Sequence, residues 1–466
     1  MNELRHDVCG EVAPLLYCLT AALDDASGSA EALRYAQDCE ARAAYLPKLL
    51  AAAPASALCE IAIVGAGIIG TGIAMAFADQ GIPVTLLDRQ QSALDGALSL
   101  IGERYENSVR KGKIAEEEGL RRMGLVSSTL DYDDIRDADL VIEAVYEEIG
   151  TKEEVFRQLD QVLKPGAILA TSTSTLDVEA IAAFTDRPAA VIGLHFVSPA
   201  HKMPLLQVVR GQQTADDALN SVVRLGQVLN KLVVVSHAAS GLIGNHLLDQ
   251  YWRQALFLVD EGCSVVRIDS VMEAWGMAMG PFRMMDMVGN DLHWAIRRRH
   301  YIEEPHLRYS RIADQLCELG RFGRKSGAGW YRYEGRESAP YPDGAVDALI
   351  RKHRLQTAAV QREVSDEEIV NRLVLALVNE GARILDRDSA LAPQDIDTVY
   401  VAGYGFPRFR GGPMYYADSV GIDGVLDTMA QFAGRAGMDS GFWRPAARLV
   451  DVAEKHERLI SSKFQG

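Results

Sequence analysis

Basic side chains are the scarce charge in this sequence: 48 Lys and Arg stand against 64 Asp and Glu, a net charge of −16 at neutral pH. Such a surface favours solubility and repels polyanions, which argues against nucleic acid as the main partner. Cysteine is sparse as well. Cys9, Cys18, Cys39, Cys59, Cys263 and Cys317 show neither the close spacing of a metal site nor the density of a secreted disulfide scaffold. A cytoplasmic location and no metal are therefore expected. No apolar run approaches the length that spans a bilayer, so no membrane insertion is expected. The acids Glu3 and Asp7 lie where a secretory leader carries positive charge, and no leader is expected either.

What is present is length and apolar content. With 466 residues, 48% of them hydrophobic, the chain can form more than one core, and usual domain sizes suggest about three. Residues 1–57 read as a helical extension, with helical spacing in "VAPLLYCLTAAL" and "ARAAYLPKLLAAA" around the breaker "DDASGSAE". From Ile61 the period changes. The runs "IAIVGAG", "PVTLLD", "ADLVIEAV", "AILATS", "AAVIGLHF" and "LLQVVRG" are short and β-rich, separated by helix-length stretches. This alternation predicts an α/β fold, a doubly wound, mainly parallel sheet over residues 58–239.

Beyond Ser240 the pattern turns helical and repeats. "LFLVDEG" followed by "IDSVMEAWGMAMGPF" has a counterpart in "LALVNEG" followed by "IDTVYVAGYGFPRFRGGP", which predicts two helical modules at 240–335 and 367–466. Between them, residues 336–366 begin in a stretch rich in Gly, Pro and charge and read as a linker.

The first strand runs into "GAGIIGTGIAMAFADQG", which sets Gly65, Gly67 and Gly70 in G-x-G-x-x-G spacing at the start of a helix. In a dinucleotide site the first glycine makes the tight turn, the second admits the pyrophosphate and the third lets helix and strand pack closely. The helix N-terminus supplies N–H groups and partial positive charge for the phosphates. Asp88 ends the next strand, where a carboxylate takes ribose hydroxyls and repels a 2′-phosphate, so NAD is favoured over NADP. FAD uses the same fingerprint and is less firmly excluded. The bland alternative is a structural turn in a doubly wound sheet.

The motifs "GAGIIGTGIA", "ADLVIEAV", "TSTSTL", "GLHFVSPAHKMPLLQVVRG" and "GLIGNHLL" occur in the order and spacing of the 3-hydroxyacyl-CoA dehydrogenases, and the sequence resembles that family over nearly all of residues 58–466. "GRKSGAGWYRY" and "GFPRFRGGPMYYAD" look like the dehydrogenase part of the multifunctional fatty-acid β-oxidation enzymes. There, residues 1–57 would be a remnant of, or substitute for, the helix that follows the enoyl-CoA hydratase domain.

The resemblance implies Rossmann-type binding of NAD and oxidation of an acyl-CoA's 3-hydroxyl, with His195 as the acid/base. It places Ser174 and Asn245 on the substrate oxygens, Ser174 also beside the cofactor. It sets Ile69, Val145, Glu147 and Lys152 along the cofactor, and Ser198 beside the substrate. Arg110, Lys111 and Lys113 in "SVRKGKIAEEEGLRRMG" would meet the CoA phosphates. A homodimer, or a separate hydratase partner, is implied as well. Each residue also has a bland reading: His195 as a hydrogen-bonded strand-end histidine, Ser174 as a helix cap, Asn245 as a helix-stabilising amide. Glu147 with Lys152, and the basic trio, would be solvated helix faces.

Three positions depart from the family. Gln207 stands where the family has the glutamate partner of the histidine, Ser198 where asparagine is usual, and Ala402 where a tyrosine is expected, with Tyr404 nearby. Glutamine cannot stabilise an imidazolium by charge, and its amide either donates or accepts, so it enforces no tautomer. The comparable Asp-to-Asn change in a serine protease triad costs about 10⁴-fold, and a loss of roughly 10²–10⁴-fold is expected here unless another carboxylate takes over. These departures define the alternative: a homologue that binds NAD or acyl-CoA but turns over slowly or not at all.

Overall fold

All four residues of strand β1 (Ile61–Val64) are buried, as in a strand covered on both faces. A computed structural model shows that covering; it describes residues 30–49, 58–173, 176–335, 339–357, 360–435, 439 and 441–460. The chain divides into two units, Asp38–Leu242 and the part from Ile243 onward, the latter together with the start of helix α1 (Ala30–Leu49) up to Gln37.

In the first unit β1 is followed by α2 (Ile68–Asp79), β2 (Val84–Leu87), α3 (Gln91–Arg110), α4 (Glu116–Met123), β3 (Val126–Thr129) and β4 (Leu140–Glu143). Then come α5 (Ile149–Val162), β5 (Ile168–Thr171), α6 (Val178–Ala182), β6 (Val191–Phe196), β7 (Leu205–Arg210), α7 (Asp216–Val228) and β8 (Leu232–His237). The sheet order is β3-β2-β1-β4-β5-β6-β7-β8, with only the β6–β7 pair antiparallel. Its order reverses between β1 and β4, the switch point where such sheets bind ligands outside their carboxyl ends. Alternate residues divide between two cores. Ile61 and Ile63 join Phe77 and Ile101 in one cluster, whereas Ala62 and Val64 join Phe156 and Leu159 in the other.

Six of these strands coincide with the β-rich runs. β3 escapes sequence reading because "VSST" is an edge strand with one buried residue. β8 follows the β7–α7 crossover and pairs parallel with β7.

The second unit holds α8 (Ile243–Glu261), α9 (Val265–Trp275), α10 (Pro281–Val288), α11 (Asn290–Glu303) and α12 (Ile312–Glu318), a short hairpin of β9 (Tyr331–Arg332) with β10 (Tyr341–Pro342), then α13 (Gly344–Thr357). The repeat follows as α14 (Asp366–Arg387), α15 (Pro393–Tyr404), α16 (Pro413–Val420), α17 (Ile422–Ala433) and α18 (Ala447–Glu454). The two leading helices, α8 and α14, pack together, and buried Arg372 of α14 donates to Gln254 Oε1 at 2.9 and 2.8 Å and to Glu261 Oε1 at 2.7 Å. Helix α13 forms inside the stretch read as a linker. Val346, Ile350 and His353 recur on one face and are buried there, a signal that the preceding Gly and Pro obscure. Among the described residues no helix is long and apolar enough to cross a membrane.

Candidate active site

The glycine turn is dictated by sterics at the sheet's carboxyl edge. Gly65 adopts φ +108°, and a Cβ there would lie 2.6 Å from the Ala144 carbonyl oxygen at the end of β4. A Cβ on Gly70 would fall 1.9 Å from the Gly65 carbonyl, so helix α2 reaches its position only with glycine. Gly67 differs. It caps α2 without a side-chain bond, and among the described residues none but its chain neighbours comes within 4 Å of the place its Cβ would take. That open cradle beside the amides of a helix start fits a pyrophosphate.

Asp88 follows β2, where its Oδ2 accepts from the Ala66 amide at 2.9 Å and its Oδ1 from the Gln90 amide at 3.0 Å. The carboxylate is thereby held rigidly beside the glycine turn. Ile69 and Val145 are half-buried, each packed against one of the two sheet cores.

Sequence reasoning missed Glu143. It ends β4, is fully buried, and takes Lys152 Nζ on both oxygens at 2.8 and 2.9 Å, the Thr171 hydroxyl at 2.8 Å and the Val145 amide at 2.8 Å. Its signal was a lone acid in the apolar run "ADLVIEAV". Lys152 is as deeply buried, and its ammonium also stands 3.4 Å from Glu147 Oε2. Glu147 and Lys152 therefore form no solvated pair: Lys152 locks the loop after β4 to helix α5. The Thr173 hydroxyl donates to Glu147 Oε1 at 2.6 Å and accepts from the Leu176 amide at 2.9 Å. Ser174 lies outside the described residues.

His195 lies near the carboxyl end of β6, and the antiparallel register sets Gln207 of β7 directly opposite it. Opposed residues share a face with Cβ atoms about 4.5–5.5 Å apart, so the two positions are neighbours. Gln207 is 1% exposed. Burial pulls the His195 imidazole down to about 4, against the negative charge of Glu147 and a hydrogen bond to the Thr173 backbone carbonyl, which both act upward. A carbonyl only accepts. Such a contact favours the tautomer with the proton on the nitrogen facing Thr173 and a lone pair on the other, the one that Gln207 does not enforce. Ser198 is half-buried just beyond β6, before a cis bond to Pro199.

Arg110, Lys111 and Lys113 lie exposed where α3 ends and the chain turns toward α4. Asn245 belongs to the helical unit, on the first turn of α8. There the Tyr404 hydroxyl donates to Asn245 Oδ1 at 2.8 Å, which orients the amide with its Nδ2 turned the other way. The tyrosine ring occupies space that a Cβ on Gly244 would invade at 2.1 Å, and it stacks on Tyr400 at 5.2 Å and 8°. Ala402 is buried, so of these two positions Tyr404 is the one that reaches Asn245.

Comparison with known proteins agrees with this geometry. The profile of the 3-hydroxyacyl-CoA dehydrogenase NAD binding domain matches residues 60–239, and that of the same enzymes' C-terminal domain matches twice, at 241–333 and 369–459. The chain belongs to the 3-hydroxyacyl-CoA dehydrogenase family. Its first unit is the family's NAD-binding domain, and the helical repeat is two copies of the C-terminal one.

The peroxisomal bifunctional enzyme of Danio rerio is 39% identical over 386 residues, covering 80% of this chain and 53% of the relative. This dehydrogenase homologue thus spans about half the length of the curated relatives it matches. The dehydrogenase part of multifunctional enzyme 1 from C. elegans shares the fold with TM-score 0.63 and 22% identity, covering 96% of this chain and all of that one. The 3-hydroxybutyryl-CoA dehydrogenase of Escherichia coli does so with TM-score 0.73 and 24% identity, covering 86% and 99%. The peroxisomal relative does not support a cytoplasmic location, and cysteine content alone does not decide between compartments.

Proposed function

We propose that this chain oxidises (S)-3-hydroxyacyl-CoA to 3-ketoacyl-CoA with NAD, reversibly. The observation that carries the reading is His195 at the carboxyl edge of an NAD-binding sheet, directly opposite Gln207. The open cradle at Gly67 and the fixed Asp88 carboxylate suit the cofactor, and Glu147, steadied from behind by the buried Lys152, borders it. NAD, when bound, supplies the ring that accepts hydride.

The chain's own work is proton handling and positioning. The unprotonated nitrogen of His195 takes the substrate hydroxyl proton during oxidation and returns it to the ketone during reduction. Asn245, held by Tyr404, and Ser174 and Ser198 are the polar groups that the family resemblance assigns to the substrate oxygens. The exposed Arg110, Lys111 and Lys113 suit the CoA phosphates. Part of the charge role surrendered at Gln207 passes to Glu147, whose carboxylate acts on His195. The alternative, a weakened NAD- and acyl-CoA-binding homologue, is favoured by Gln207 itself.

A relative from Psychrobacter, 33% identical over 377 residues, is named fatty acid oxidation complex subunit alpha, which supports a place in fatty-acid oxidation. We assign the chain to that process, with a hydratase activity on the same or another polypeptide; a cytoplasmic location rests on cysteine scarcity, and imaging of the tagged protein distinguishes it from peroxisomes.

NAD reduction with (S)- and (R)-3-hydroxybutyryl-CoA tests the reading. Turnover of the S enantiomer, with the R form at least about tenfold slower, is expected; equal rates, or none with either while NADH binds, would count against it.

Because the base is neutral down to about pH 4, the acid limb of kcat/KM for oxidation is expected well below the usual histidine value of about 6.5. Glu147→Gln removes a charge that acts upward on His195, so the limb should move lower still; a pH–rate profile reads both.

A further inference from the structure

The two copies of the C-terminal domain hold equivalent carboxylates in equivalent cages, and the difference between the cages gives helix α1 a task. In the first copy, buried Asp269 of α9 accepts from the Phe282 and Arg283 amides that open helix α10, at 2.9 and 3.2 Å, and from the Tyr331 hydroxyl at 2.7 Å. In the second, buried Asp397 of α15 accepts from the Met414 and Tyr415 amides that open helix α16, at 2.7 and 3.0 Å, and from the Tyr35 hydroxyl at 2.7 Å. Both aspartates occupy the same place in the repeat, after the isoleucine of "IDSV" and "IDTV". Both caged helices begin with proline at the first turn, where the remaining amides need an acceptor.

A second pair of cages shows why the tyrosine changes source. Asp286 accepts from the Trp330 and Tyr331 amides at 2.9 Å each, and its counterpart Asp418 accepts from the Leu459 and Ile460 amides at 2.8 and 2.9 Å. Ile460 therefore stands in the second copy where Tyr331 stands in the first. Tyr331 contributes its amide to one carboxylate and its hydroxyl to the other; Ile460 contributes the amide and has no hydroxyl to give. The donor that Asp397 lacks within its own copy comes from outside it, from Tyr35 of helix α1.

We infer that helix α1 is a built-in partner of the second C-terminal copy, docked into a socket whose recognition element is the Asp397 carboxylate and whose ligand is a tyrosine hydroxyl. Supporting contacts surround it. The Tyr35 ring lies 4.6 Å from that of Tyr415, and Ala32, Tyr35 and Ala36 are buried in one stripe along α1. Burial pushes the carboxyls of Asp269 and Asp397 up to about 7 and 8; the tyrosine hydroxyl opposes it in each case, joined by the Phe282 amide at Asp269 and the Met414 and Tyr415 amides at Asp397. A donor removed from either cage leaves a buried carboxyl short of a partner, which costs far more than an exposed contact.

Tyr35→Phe and Tyr331→Phe in the full chain test this, each serving as the other's control. Hydrogen exchange is followed by mass spectrometry in peptides covering 413–416 and 281–284. Tyr35→Phe is expected to speed exchange of the Met414 and Tyr415 amides by about tenfold and leave those of Phe282 and Arg283 unchanged, while Tyr331→Phe does the reverse. All five tryptophans lie at or beyond Trp252, so their fluorescence reports the helical unit, and its midpoint should fall by about 3–6 °C in Tyr35→Phe. Unchanged exchange at 413–416, or equal acceleration in both peptides, would overturn the assignment.

Discussion

Gln207→Glu is expected to raise kcat/KM for 3-hydroxyacyl-CoA oxidation by about 10²-fold, with little change in KM. At about 4 the His195 imidazole is a weak base for work near neutral pH. A carboxylate at the directly opposed position on β7 would attract the imidazolium that forms as the substrate proton is taken, and would lift the base toward the working pH. The acid limb of the pH profile should therefore move upward as the rate rises. The two readouts belong together: a gain without the upward shift would mean that the introduced carboxylate acts on something other than His195. No gain would mean that Glu147 and the Thr173 carbonyl already supply the support.

Lys152→Met carries the largest expected stability effect. It leaves Glu143, fully buried, with the Thr171 hydroxyl and the Val145 amide but no countercharge. Removing one partner of a buried ion pair costs roughly 3–5 kcal/mol, enough to unfold a marginal domain. The loss should be local. The tryptophans report the helical unit, so a low-denaturant transition in far-UV circular dichroism without a matching fluorescence change is the expected signature. The double substitution Glu143→Leu with Lys152→Met should recover much of the loss by removing the orphaned charge. Coincident transitions at the native midpoint in Lys152→Met would refute the role given to this pair.

The sequence carried the glycine turn, six of the large sheet's eight strands and the helical repeat because each depends on local pattern: the G-x-G-x-x-G spacing, short β-rich apolar runs and a recurring motif. It placed His195 and Gln207 twelve residues apart, and the register converts that spacing into a facing pair. What it withheld depends on long-range geometry. Glu143 reads as one acid in an apolar strand until Lys152 arrives from the next helix. Thr173 acts upward on the His195 imidazole through its backbone, which no side-chain pattern encodes. The contact between Tyr35 and Asp397 joins residues 362 apart in the chain, beyond the reach of any local pattern.

The most direct test is NADH oxidation with acetoacetyl-CoA, comparing the native chain with His195→Ala while NADH binding is followed by fluorescence. The account predicts measurable native turnover, a loss of about 10²–10⁴-fold in the variant, and unchanged NADH affinity. Equal turnover in both proteins would remove His195 from the chemistry. An inert native protein that still binds NADH would leave the weakened binding homologue as the better description.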